Sequence, residues 1–300
     1  MGYVYLLFVA FMFSFVGTCV KTVSPHFSPE FVTFFRFSIG VLFLLLLKLI
    51  KNRKIHFDFP SLKAVLPWVI FGGVVKWLAY LMENIALAQG ASYSNIVLQP
   101  AQTITITVVS IVLFKEKFTL RKLICILMCM TGVLCISWNG RPLADFVANI
   151  ALSGLYVIAG VFAGSHVRSQ KMIGDKMDII DSNLAIFVIS GLISAVPLVP
   201  QIASGCLAGL QIGPLVVVSI IAIGFFTGIG FYLNAKAIPL VPFYMVPILQ
   251  STMVFFALIW GMLFFDEKIT VYVVCGTVLF VAGLIGLNLS NGAKKQIKEA

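Results

Sequence analysis

The sequence predicts an all-α integral membrane protein, and three observations carry this prediction. Only 11% of the 300 residues are charged and 60% are hydrophobic, whereas an ordinary soluble domain is roughly 25% charged. Charged side chains are absent from residues 1–20, 84–114 and 182–235. These stretches are too uniformly apolar to alternate as barrel strands. A helix, in contrast, satisfies its own backbone hydrogen bonds in lipid and needs about 20 apolar residues to cross it.

Charges, prolines and glycines divide the chain into ten predicted membrane spans. The longest uncharged stretch exceeds one span, so we expect the prolines and glycines between Pro197 and Pro214 to separate two helices. The first span lacks a basic n-region and a small-x-small cleavage site, which predicts a retained helix rather than a signal peptide. The predicted spans are 3–20, 30–48, 64–88, 91–113, 120–138, 146–165, 180–199, 214–235, 241–264 and 269–289.

The net charge of +10 is interpreted as a topology signal rather than as a nucleic-acid-binding surface. With the N-terminus inside, sixteen Lys or Arg residues fall in cytoplasmic segments, against Lys21, Arg141 and Lys268 outside. Cytoplasmic loops of membrane proteins are enriched in these cations. Both termini are therefore predicted to be cytoplasmic.

The chain contains a weak internal repeat. Residues 113–119 read LFKEKFT and residues 264–270 read FFDEKIT, and a shift of 151 residues aligns Glu116 with Glu267 and Gly132 with Gly283. The repeat predicts two five-helix halves, 1–139 and 140–290, followed by a cytoplasmic tail at 291–300. Because each half has an odd number of spans, the second half is expected to insert upside down relative to the first.

Three charged residues lie inside predicted spans: Arg36, Lys76 and Glu83. Such residues are costly in lipid and are candidates for a functional site. Lys76 and Glu83 share one helix face but are separated by about 10 Å along the axis, so a direct pair is not expected. A polar cavity with water or substrate between them is one interpretation. A structural pair between Glu83 and Arg36 is the other.

Further polar and aromatic residues complete the candidate substrate-lining set. Tyr80 and Asn84 lie on the Lys76 face of the third span, and amides recur at steps of three or four along the fourth. Amides at midplane depth can bind a small polar solute, or they can bond neighbouring helices. Besides Lys76 and Glu83, the candidates are Trp77, Tyr80, Asn84, Asn95, Gln99, Gln102, Tyr232, Asn234, Tyr244 and Gln250.

No metal, cofactor or enzyme activity is predicted. Cys125 and Cys129 have the spacing of two metal ligands on a helix, but no third ligand stands near them in the sequence, which favours packing. His166 follows the sixth predicted span directly and is expected to be an interface residue at its cytoplasmic end. The GxxxG segments 160–164 and 224–228 predict close helix packing.

The two halves, with the turns FKEKFT (114–119) and FDEKIT (265–270), resemble the drug/metabolite transporter superfamily, specifically its EamA-type members. One departure is that Pro100 and Pro247 do not superpose under the repeat. The resemblance implies a secondary transporter or facilitator that exports an amino acid or similar small polar metabolite by alternating access. Its setting would be the lipid bilayer of a bacterial plasma membrane. The coupling proton and the oligomeric state stay open, and nucleotide-sugar or sugar-phosphate antiport and multidrug efflux are the alternatives.

Overall fold

Helices account for nearly all of the regular structure. The structure, a computed structural model, describes residues 1–52, 59–90, 98, 101–102, 104, 119–138, 140, 142–206, 211–237, 240–241, 249–250 and 252–299. No strand occurs within those ranges. The helices are α1 (Gly2–Val23), α2 (Pro29–Asn52), α3 (Phe59–Gln89), α4 (Leu120–Trp138), α5 (Leu143–Ile173), α6 (Ile179–Ala195), α7 (Leu198–Ala203), α8 (Pro214–Ala237), α9 (Met253–Phe265) and α10 (Val271–Glu299).

The helices have the length and composition of membrane spans. Four contain a stretch long and apolar enough to cross a bilayer: Gly2–Val23, Pro29–Lys51, Lys63–Gln89 and Pro214–Ala237. Helices α6 and α9 and the first half of α10 are shorter apolar helices. Large apolar side chains such as Leu192, Leu215 and Leu263 are exposed, as expected for a surface that faces lipid. The predicted span 91–113 lies outside the described residues, apart from four isolated positions.

The long uncharged stretch is divided as expected. Helix α6 ends at Ala195 and α8 begins at Pro214. Pro197 has no backbone N–H to continue the α6 hydrogen-bond ladder, and the short helix α7 follows. Gly205 then adopts a φ of 77°, a left-handed conformation that suits glycine.

Two helix ends differ from the predicted bounds. Helix α10 continues through Glu299, so the predicted tail extends the last helix. Helix α5 continues eight residues beyond the predicted end at 165, to Ile173, and stops at Gly174 with a φ of 49°. At α10 the polar tail continues the helix beyond its apolar run, and at α5 the helix continues through polar residues that are buried in the bundle. The extension of α5 matters for the site, because it includes His166.

The packing order does not follow the chain order. Helix α1 packs against α8 and α9, α2 against α6 and α8, α3 against α5 and α6, and α4 against α10. Two polar contacts hold α1 to the far end of the chain. Trp260 Nε1 donates to Ser14 Oγ at 2.9 Å, and Lys21 Nζ pairs with Glu267 Oε1 at 2.5 Å.

Glycines set the closest helix contacts. Gly224 and Gly228 of α8 face Ile39 and Gly40 of α2, which confirms that this GxxxG segment is a packing surface. A Cβ at Gly228 would lie 2.7 Å from the Gly40 carbonyl oxygen. In the other GxxxG segment, Gly160 of α5 lies directly against residues 101–102.

The α4–α10 contact, which we call the glycine crossing, is equally close. It is defined by Gly132 on α4, by Gly276 and Gly283 on α10, and by the side chains packed on them. A Cβ at Gly132 would lie 2.6 Å from the Gly276 carbonyl oxygen, and one at Gly283 would lie 2.8 Å from the Cys125 carbonyl oxygen. Cys129 Sγ donates to the Phe280 carbonyl at 3.7 Å. Cys125 and Cys129 therefore pack between helices.

Candidate functional site

One face of α3 carries a buried polar row. Lys76, Glu83 and Asn84 are 1%, 5% and 0% exposed, and Tyr80 lies between them on the same face. Helical spacings of three and four residues place these side chains in line. The row faces α2, α5 and α6, the helices against which α3 packs. The predicted shared face is confirmed.

The first part of the row is an ion pair between α2 and α3. Arg36 Nη1 donates to Glu83 Oε2 at 3.0 Å, and Arg36 Nε donates to Thr227 Oγ1 of α8 at 3.0 Å. The guanidinium also lies over the Tyr80 ring, 3.8 Å from its centroid. Both charged side chains are almost fully buried. The structure thus contains the Arg36–Glu83 pair that the sequence left as one of two interpretations.

Asn84 extends the polar row towards the start of α2. Its Nδ2 donates to Thr33 Oγ1 at 2.8 Å, and Thr33 Oγ1 in turn donates to the Pro29 carbonyl at 2.7 Å. Asn84 Oδ1 has no hydrogen-bond partner within the described part of the chain. The amide is therefore bound on its donor side only.

Lys76 lies at the other end of the row and has a different environment. Its Nζ is 3.2 Å from His166 Nε2 on α5. It also lies 3.4 Å from the ring centroid of Phe231, 4.8 Å from that of Phe187 and 5.6 Å from that of Tyr80. We call His166 and these three rings the Lys76 cage. The ion pairs formed between described residues are Lys21–Glu267, Arg36–Glu83 and Lys48–Asp181, and none involves Lys76.

The prediction for His166 was wrong. The residue is 5% exposed and lies inside α5 rather than at an interface, because the helix continues to Ile173. Ser169, three residues further on, is also fully buried and donates to the Trp68 carbonyl at 2.6 Å. Two polar residues three apart share a helix face. That spacing was the sequence signal that the face turns inward.

Trp77, Tyr232 and Gln102 have mainly structural surroundings. Trp77 and Tyr232 are partly buried and pack on an apolar cluster built from α2, α3 and α6. Gln102 is partly buried, and its backbone lies against Gly160. None of the three belongs to the Lys76 cage.

The remaining candidates lie at the end of α8 and in the fourth and ninth predicted spans. Gln250 Nε2 donates to Asn234 Oδ1 at 2.7 Å, which ties the end of α8 to the segment before α9. The candidates Asn95, Gln99 and Tyr244 lie outside the described residues.

A further ion pair lies at the opposite end of the bundle from Lys21–Glu267. Lys48, near the end of α2, pairs with Asp181 in the first turn of α6. Asp178 caps α6, accepting from the Ile180 N–H at 2.9 Å, and so fixes where that helix begins. Ion pairs are therefore present near both ends of the bundle and in its interior.

Comparison with known proteins decides the family. The model of the EamA-like transporter family matches residues 1–138 and 152–289, which is most of the chain. The chain belongs to the EamA-like transporter family. This EamA-family protein is thus a membrane transporter of the drug/metabolite type, and members of the family are transporters rather than enzymes. The match falls in two repeat-like segments of the chain.

The fold is also similar to that of a solved structure. A chain described as "Crystal structure of protein" superposes with a TM-score of 0.60 at 16% identity, covering 95% of this chain and 96% of that one. At this identity the similarity concerns the fold alone. No curated protein matches the sequence.

Proposed function

We propose that this EamA-family protein exports a small polar metabolite, such as an amino acid, across the plasma membrane of a bacterium by alternating access. The observation that carries the proposal is the buried row from Asn84 to Lys76 together with its partners Arg36 and His166. Ionisable groups inside a bundle are costly and typically mark a substrate or ion pathway. Residues from α2, α3, α5, α6 and α8 converge here, and lipid contact explains none of them.

The packing supports two inverted halves. Under the predicted repeat, α1 corresponds to α5 and α3 to α8, so the packing of α1 on α8 has its counterpart in that of α5 on α3. The shift of 151 residues also aligns Gly132 with Gly283 and Cys129 with Phe280. The contact of Gly132 with Phe280 therefore has its counterpart in the contact of Gly283 with Cys129, and both contacts are observed. A site between two such halves is typical of alternating-access transporters. We propose ten spans on this basis.

Uptake into liposomes tests the proposal. Purified protein reconstituted with pools of radiolabelled amino acids is expected to give saturable flux above that of protein-free liposomes. The set of candidate substrates is first narrowed by thermal shift, since a ligand that binds the folded state raises its apparent stability. Absence of saturable flux for every amino acid and for the matching hydroxy acids would contradict the proposal.

Glu83 is proposed to carry a coupling proton, since protonation would release Arg36 from the ion pair. We expect an imposed pH gradient to accelerate flux in the wild type, and Glu83→Gln to remove that acceleration. Glu30→Gln is the matched control, because Glu30 is only partly buried in the first turn of α2 and is expected to retain the response. Equal flux with and without the gradient in the wild type would indicate uniport.

Both termini are proposed to be cytoplasmic, which places Cys206 on the outer side. This cysteine follows α7 and is exposed. A membrane-impermeant maleimide is therefore expected to label it in intact cells, and Cys206→Ser to lose the label. Cys275 is also exposed but lies on the apolar surface of α10, so lipid should protect it. Labelling of Cys206 only after permeabilisation would reverse the orientation.

Antiport of nucleotide sugars is less well supported. A phosphate-bearing substrate favours several converging cations. Among the described residues near the polar row, Arg36 is already paired with Glu83, which leaves Lys76. Trans-stimulation of flux by a nucleotide monophosphate is the result that would favour this alternative.

A further inference from the structure

We propose that Lys76 binds the carboxylate of the transported substrate, and that His166 positions the Lys76 ammonium for it. The inference rests on the proposed function and deepens it, because it assigns a chemical class of ligand to one atom, Lys76 Nζ. It also assigns a role to His166, which faces Lys76 from the other predicted half.

Within the described part of the chain, the charged groups of the buried row do not all have partners of opposite charge. Arg36 and Glu83 form an ion pair, and their charges cancel. Lys76 is 1% exposed and takes part in none of the ion pairs formed between described residues. An unpaired ion is strongly disfavoured in the low dielectric of a bundle interior. The row therefore has one positive charge too many, and a single negative charge would balance it.

The surroundings of Lys76 Nζ include aromatic faces and one imidazole nitrogen. The faces of Phe231, Phe187 and Tyr80 all lie within 6 Å of Nζ. Aromatic faces at that distance attract cations and stabilise them. His166 Nε2, at 3.2 Å, can accept a hydrogen bond from an ammonium. The cage thus supplies some of the contacts that an ammonium needs at a buried position, and a bound anion would supply the rest.

The His166 ring can accept a hydrogen bond from Lys76 through Nε2. Its Nδ1 makes no hydrogen bond of normal geometry within the described residues, although the ring interacts with the backbone of Gly72. A neutral ring with the proton on Nδ1 leaves Nε2 as the acceptor for Lys76. A histidine in that state adds no charge and fixes the direction of one Nζ–H. The other two donors of the ammonium can then serve a ligand.

The charge at Nζ favours a carboxylate over a phosphate as the ligand. A carboxylate group brings one negative charge to Nζ, which matches the single ammonium there, whereas a phosphate monoester brings nearly two at neutral pH. Phe187 and Phe231 offer apolar contact to the carbon skeleton next to the carboxylate. Lysine has a flexible four-carbon stem, so Nζ can leave the rings and meet the anion.

The experiment uses thermal shift of the purified full-length protein with benzoate, its neutral isostere benzamide, phenyl phosphate and the twenty standard amino acids. Carboxylate compounds are expected to raise the melting temperature with concentration, and benzamide is not. Lys76→Met is expected to weaken carboxylate binding about 10- to 100-fold, and Lys76→Arg to restore part of it. Lys21→Met is the matched control, because Lys21 is paired with Glu267 outside the cage, and binding should be unchanged.

The melting temperature of the ligand-free protein separates an effect on binding from an effect on folding. Because Lys76→Met removes an uncompensated buried charge, the ligand-free variant is expected to melt at or above the temperature of the wild type. His166→Ala should weaken carboxylate binding yet keep the preference for benzoate over benzamide, as expected of a positioning residue.

Several results would overturn the inference: no shift with any carboxylate, equal shifts in wild type and Lys76→Met, or a stronger shift with phenyl phosphate than with benzoate. Flux that survives in Lys76→Met with unchanged selectivity would overturn it while leaving the proposed function intact. Carboxylate binding that depends on Lys76, in a protein that shows no flux, would support the inference and contradict the proposed function.

Discussion

Arg36→Met is expected to lower the free energy of unfolding by about 3–5 kcal/mol, because it leaves the buried Glu83 carboxylate without its cation. The Arg36 and Glu83 side chains are only 4% and 7% exposed, so water cannot replace the lost partner. The substitution also removes the hydrogen bond to Thr227 and the stacking on Tyr80. Reversible unfolding in detergent, followed by the helical signal, measures the loss.

The double variant Arg36→Met/Glu83→Met shows whether the unpaired Glu83 carboxylate causes the loss of stability. Replacing both members of a buried pair with apolar residues of similar volume is often neutral or stabilising, so the double variant should recover much of the stability lost in either single variant. Lys21→Met is the matched control, since the Lys21 side chain is 28% exposed and a pair of that kind contributes about 1 kcal/mol or less. Additive losses in the double variant would show that the pair itself contributes little.

Gly132→Ala and Gly283→Ala are expected to destabilise the protein, although alanine is the better helix former. In the glycine crossing, the new Cβ would lie 2.6 Å from the Gly276 carbonyl oxygen in the first variant and 2.8 Å from the Cys125 carbonyl oxygen in the second. Both neighbours are backbone atoms, so the helices themselves must move apart. Overpacking of this kind costs about 1–3 kcal/mol.

Gly154→Ala is expected to have the opposite effect on stability. Gly154 is also helical, in α5, but a Cβ there would meet nothing within 4 Å. Alanine is favoured over glycine inside a helix by roughly 0.5–1 kcal/mol, so this variant should be neutral or slightly more stable. Melting temperatures of the three variants, measured side by side, provide the test. Equal effects at all three positions would show that helix propensity, and not the crossing, sets the result.

Much of the site follows from helix geometry, and the exceptions have physical causes. The spacing from Lys76 to Glu83 predicted a shared face without a direct pair, and the structure has that arrangement. The cage was not predictable. The chain has 27 Phe residues in a mostly apolar sequence, and only the tertiary packing brings Phe187 of α6 and Phe231 of α8 to Lys76.

The helix bounds also show which features local sequence determines and which depend on long-range packing. Prolines and glycines between 197 and 214 separated two helices where the sequence indicated, because the restriction of proline and the conformational freedom of glycine act locally. The end of α5 was misplaced because polar residues that face the bundle interior, among them His166 and Ser169, interrupt the apolar run, while the helix itself stops at Gly174. Hydropathy does not distinguish such residues from those outside the membrane, and it therefore assigns His166 to the wrong environment.

The contacts of α1 have a consequence for how the protein is made. Ser14 and Lys21 have partners that lie 246 residues further along the chain, Trp260 and Glu267. The first helix enters the membrane long before those residues leave the ribosome. Until then, its polar groups lie in lipid or at the insertion machinery without their final partners. Assembly of the bundle is thus completed late in translation, when α8 and α9 arrive. A nascent chain that ends within the first half has no complete interior in which to bury its first helix.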